Sequence, residues 1–71
     1  MRTRRAKVSD ETAAHLALHV LGAASAAAVA HRCGWSLLRA QVALERLEAG
    51  GQVLVERRAA EGRLWRRRGV A

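Results

Sequence analysis

The stretch Ala28-Val29-Ala30-His31-Arg32-Cys33-Gly34-Trp35-Ser36 decides how this chain reads. It joins two apolar-patterned segments. Ala30 puts a small side chain where two helices have to cross closely. Four residues later, Gly34 is free to take the left-handed conformation that ends a helix. Ser36 follows as a natural N-cap for the next one. A helix, a tight turn and a second helix are therefore expected here.

Toward the N-terminus, Ser25 is expected to start the upstream helix, which runs to about Arg32. Its alanines suit close approach between helices more than a self-sufficient core. Before it, Ser9 caps a first helix whose opening turn carries Asp10 and Glu11, the favourable sign at a helix N-terminus. Ala13, Leu16, Ala17, Val20 and Leu21 recur at helical spacing and predict its buried face, and Gly22 ends it.

Toward the C-terminus, a third helix is predicted from about Leu37 to Ala49. Leu37, Ala40, Leu44 and Leu47 lie within about 80° of one another on a helical wheel and form the expected inward stripe. Leu38, Arg39, Val42, Glu45 and Arg46 fall on the opposite side, with Gln41 and Glu48 flanking the stripe. Gly50-Gly51 closes the helix. Gln52 to Arg58 then alternates as a strand, Ala59-Ala60-Glu61-Gly62 turns, and Arg63 to Arg68 returns. Leu64 and Trp65 must occupy opposite faces of that second strand, but alternation does not say which of them is inward.

Over residues 9–68 this order resembles the winged helix-turn-helix DNA-binding domains. The resemblance implies a mainly α fold with a small β-hairpin, α-α-α-β-β, preceded by a flexible basic arm (1–8) and followed by a short tail (69–71). In that family the third helix usually enters the major groove, and the wing contacts the backbone or minor groove. Carried over by position, Ser36, Leu38, Arg39, Gln41, Val42 and Arg46 are the groove-facing candidates. Arg39 has the fork for guanine, and Gln41 the amide for adenine. The wing candidates are Arg57, Arg58, Arg63, Trp65, Arg66, Arg67 and Arg68, joined by Arg2, Arg4, Arg5 and Lys7 of the arm. Trp65 has two readings there, a stacking platform for a sugar or base and a core residue. The chain departs from the family in that Leu38, Val42 and Glu45 make its third helix poorer in polar readers. The segment Leu64-Trp65-Arg66 is also similar to the wing of the Z-form nucleic-acid-binding winged helices. Those carry an Asn, a Tyr and a Pro pair where this chain has Gln41, Glu45, Gly62 and Arg63, so that activity is not assigned.

Charge placement agrees with a polyanion partner. The formal net charge is +7 over 71 residues. Arg2, Arg4, Arg5 and Lys7 put +4 on the first seven residues with no acid among them. Six arginines against Glu56 and Glu61 put another +4 on residues 56–68, and the segment between is −1. A neutral scaffold with two cationic ends has the form of a clamp for phosphates. Nearly all of the cations are arginine, which favours forked contacts to phosphate.

The remaining features bound the function. The length is that of one domain near the size where a single core is only just sufficient. Cys33 is the single cysteine, which excludes an intrachain disulfide and fits a reducing compartment. No stretch approaches the roughly 18 apolar residues of a membrane span. The opening Met1-Arg-Thr-Arg-Arg is not followed by the apolar core of a signal peptide. These features predict a cytoplasmic protein, nucleoid-associated in a bacterium or archaeon. His15 and His19, four apart and in line with Glu11, have zinc-binding spacing that His31 or Cys33 could extend. An exposed polar face or subunit contact accounts for them better, so no metal or cofactor is assigned. Ser9, Ser25 and Ser36 all sit at helix starts, and there is no Gly-rich phosphate loop, so no enzyme is expected. The reading is a small transcriptional regulator that binds double-stranded DNA, as a homodimer or by assembly on the duplex. The alternatives are a winged-helix adaptor that recruits a protein through Leu38 and Val42, and an accessory domain for RNA or single strands.

Overall fold

The computed structural model describes residues 8–58 and 62–68. The elements run α1 (Asp10–Leu21), α2 (Ala26–Cys33), α3 (Leu37–Ala49), β1 (Val53–Arg58) and β2 (Gly62–Arg67). Three helices followed by an antiparallel hairpin give the mainly helical α-α-α-β-β layout of a winged helix.

Local chemistry sets the helix ends. All three serines of the chain are N-caps: the Ser9, Ser25 and Ser36 hydroxyls accept from the backbone N–H groups of Thr12, Ala28 and Arg39 at 3.1, 3.1 and 3.2 Å. Each satisfies one of the donors that a helix start leaves without a partner. Gly34 ends α2 in the left-handed conformation, φ 72° and ψ 32°, which glycine adopts without steric cost. The next N–H, that of Trp35, donates to the Ala30 carbonyl at 2.9 Å, so the turn between α2 and α3 is closed as a C-cap.

The core is built largely of alanine. Ala14, Ala17, Ala24, Ala26, Ala30, Ala40 and Ala43 are buried together with Leu18, Val29, Leu44, Leu47, Val53 and Trp65. Ala30 is 6% exposed, and the fully buried Ala40 lies on the inner face of the following helix. Small side chains on these faces let the helices pack closely, as expected of Ala30.

Two helix faces differ from expectation. In α1 the buried residues are Ala14, Ala17 and Leu18, whereas Leu16, Val20 and Leu21 are 56%, 58% and 40% exposed and Ala13 is half-buried. The apolar arc of this helix, from Leu16 round to Leu18, spans about 200°, wider than the face that packs, so periodicity locates the arc but not which part of it is covered. In α3, Ala40, Leu44 and Leu47 are inward as expected, but Ala43 joins them and Leu37 is 50% exposed. Leu37 opens the helix, beyond the edge of the packed layer.

The hairpin register pairs Val53 with Arg67, Leu54 with Arg66, Val55 with Trp65, Glu56 with Leu64, Arg57 with Arg63 and Arg58 with Gly62. Trp65 is the inward residue of the pair left open by alternation, at 1% exposure, and Leu64 faces the other way and is half-buried. The choice is tied to a contact that local patterning does not reveal. Ala24, between α1 and α2, exchanges backbone hydrogen bonds of 2.9 and 2.8 Å with Trp65 and adds one antiparallel rung to the outer edge of β2. Strand β2 begins at Gly62, one residue before the expected start, and Gly62 has φ +76°. The arm residues 1–7, the turn residues 59–61 and the tail 69–71 lie outside the described residues.

Candidate nucleic-acid interface

The inner face of the hairpin carries Val53, Val55 and Trp65 with Arg67 at its base, and Arg57 and Arg63 at its tip. Side chains alternate across a strand, so Val53, Val55 and Arg57 share a face with Arg67, Trp65 and Arg63. Val53 and Trp65 are buried and Val55 is half-buried. Past them the core ends, and Arg57 and Arg63 stand directly opposite each other. Like charges in opposed positions disfavour the pairing of two strands. Arg63 is steadied by Trp65, its guanidinium carbon 4.7 Å from the ring centroid, while Arg57 is exposed. Arg68 is exposed and Arg67 half-buried, and among the described residues no ion pair engages Arg57, Arg63, Arg67 or Arg68. On the outer face, Arg66 Nε lies 3.4 Å from a Glu56 carboxylate oxygen. Trp65 therefore takes the core role: an indole with 1% exposure has no face to offer a base. Arg58 belongs to β1 by its backbone, and its side chain lies outside what is described, as do Arg2, Arg4, Arg5 and Lys7.

The exposed side of α3 divides into two. Its outermost line is Leu38, Val42, Glu45 and Ala49, with Leu38 at 69% and Val42 at 38% exposure. Beside this line, toward the first turn of α1, lie both arginines of the helix. Arg39 Nε and Nη2 donate to the two carboxylate oxygens of Asp10, each at 2.9 Å. The hydrogen bond to Asp10 is the main reason that the Arg39 pKa rises above its ordinary value. The same guanidinium lies 4.7 Å from the centroid of the Trp35 ring. Arg46 Nη1 stands 3.5 Å from a Glu11 carboxylate oxygen. Ser36 is engaged as a cap, and Gln41 is half-buried. The six candidates on and before α3 thus lie on one helix start and its exposed side, but its two cations already have acidic partners from α1. Both pairs span distant parts of the sequence. Their only local sign was the acid pair in the first turn of α1, which helix-dipole chemistry already explained.

Among the described residues, no three or more of His, Cys, Asp and Glu come together in a metal-binding group. Cys33 is half-buried beside the core, and burial raises its thiol pKa, against the opposing pull of Arg32 and Arg39. No described helix is long and apolar enough to cross a membrane. Comparison with known protein families, curated proteins and solved structures finds no match to this chain.

Proposed function

We propose that this chain belongs to the winged helix-turn-helix domains and binds double-stranded DNA, acting as a small transcriptional regulator. The observation that carries the reading is the opposed pair Arg57 and Arg63 at the end of the hairpin's inner face, beyond the last core residue. Two like charges set across a strand pair cost stability within the chain and gain when a phosphate bridges them. The overall charge of +7 agrees with it, and Arg67 and Arg68 add positive charge at the other end of the hairpin, where Arg67 pairs with Val53. The wing then supplies phosphate contacts, which position the domain, and the start of α3 meets the base edges. A duplex partner places the protein in the cytoplasm, at the nucleoid in a bacterium or archaeon. Pairing of two copies, in solution or on DNA, extends the reading.

The test is a titration of duplex DNA, duplex RNA and single strands at about 50 and 200 mM salt. Duplex DNA affinity should fall with a log–log slope near −0.9 per phosphate contact, hence about −3 to −4 for the four wing arginines. Preference for RNA or single strands would replace the DNA reading with the accessory-domain one. Salt-independent or absent binding would end both. In that case the second reading, a protein adaptor, gains from the exposure of Leu38 and Val42 at the centre of the outer α3 face.

A further inference from the structure

We infer that Arg39 is a preset reader of guanine, held in its reading plane by Asp10 and Trp35, and that Asp10 is its positioning residue. The inference rests on the duplex-binding reading above and assigns it one base contact. An arginine has five N–H donors in a fixed planar fork. Asp10 occupies two of them, on Nε and Nη2, with two bonds of 2.9 Å. The donors that remain are both on Nη1 and one on Nη2. One from each nitrogen forms the parallel end-on pair of the fork, directed away from the Asp10 carboxylate. Guanine presents two acceptors, O6 and N7, at the spacing such a pair needs.

Placement and rigidity agree with that role. Arg39 is the third residue of α3, in the turn from which recognition helices reach base edges. Its side chain is 52% exposed, so the free edge is accessible while the other edge is held. Trp35 is half-buried, packs against the core and fixes the guanidinium from a second direction. Two partners on two different elements remove most of the rotamer freedom that a free arginine would lose on binding. Asp10 also cancels the charge of Arg39. A neutralised fork is a poor general phosphate contact, so its gain is concentrated in the matched base.

The consequence is that an acid in a DNA-binding face supports sequence discrimination while lowering the charge available for affinity to duplexes in general. Preferred duplexes are first enriched from a random pool with the wild-type protein. Wild type, Asp10→Asn and Arg39→Lys are then measured on the preferred duplex and on its single-base variants, with the melting temperature of each protein recorded. Wild type should show one guanine whose replacement costs about 5- to 150-fold in affinity. Both variants should lose most of that discrimination at that position alone. Arg39→Lys keeps the charge and the ion pair but not the fork, so it carries the test even if Asp10→Asn folds poorly. Asp10→Asn should in addition steepen the salt slope by up to about one unit as Arg39 becomes available to phosphate. A merely structural ion pair would lower the melting temperature and leave the base preference intact. Retained discrimination in Arg39→Lys or in a folded Asp10→Asn overturns the inference, as does a wild-type site with no guanine preference. Binding of the wild type without any sequence preference overturns it and leaves the duplex-binding reading standing. Absence of wild-type duplex binding removes both.

Discussion

Trp65 and Ala24 exchange both of their backbone hydrogen bonds, at 2.8 and 2.9 Å, and both are buried. This one rung ties the last strand to the link between the first two helices. It seats the largest side chain of the core under the helices. The wing is therefore part of the core rather than an appendage, and what it carries at its tip is held by packing at its base.

Trp65→Ala should lower stability by about 3–5 kcal/mol, the range for removing a large buried aromatic. Its indole Nε1 is buried with no hydrogen-bond partner among the described residues. Trp65→Phe, which removes that donor along with some volume, should therefore cost clearly less than Trp65→Ala. Chemical denaturation followed by circular dichroism measures both, and equal losses would mean that ring volume does not anchor the hairpin.

The rotated face of α1 makes a paired prediction. Leu18 is 1% exposed and Leu16 is 56% exposed. Leu18→Ala should cost about 2–5 kcal/mol, and Leu16→Ala should stay within about 0.5 kcal/mol. The reverse order in thermal melts would restore Leu16 to the inward stripe.

Ala30 tests how tightly the helices meet. At 6% exposure it has little room for growth, so Ala30→Leu should overpack the core and cost about 1–3 kcal/mol. An unchanged melting temperature would show that the crossing lies elsewhere.

On duplex DNA, Arg57→Ala combined with Arg63→Ala should flatten the log–log salt slope by about 1.8, the value for two lost phosphate contacts. The loss of affinity should be nearly the same on every sequence, because neither residue reads a base. An unchanged slope would remove the wing tip from the interface.

Cys33 provides a pH test. Burial raises its pKa in the folded chain, so folding favours the neutral thiol. The linked stability is fully present below the unfolded thiol's pKa and is lost as pH rises through the higher folded value. At mildly alkaline pH, native Cys33 should alkylate more slowly than the same residue in denaturant. Equal rates would contradict its placement beside the core.

Helix ends, element order and turn chemistry were legible in the chain because each depends on neighbours within four residues. The hydroxyls of Ser9, Ser25 and Ser36 reach only the third N–H beyond them, and Gly34 needs no partner to take a positive φ. Alternation likewise placed Leu64 and Trp65 on opposite faces whatever the rest of the chain does. Tertiary structure alone decided which of those two is inward, because the choice depends on Ala24 closing the edge of β2. It alone chose Leu18 over Leu16 in α1, where the apolar arc is wider than the face that packs and only the packed neighbours fix which part is covered. It alone brought Asp10 to Arg39 and Glu11 to Arg46, since ion pairs between distant segments have no local pattern. Local chemistry set a scaffold and its surplus of positive charge. Packing determined which of those charges have an acidic partner among the described residues.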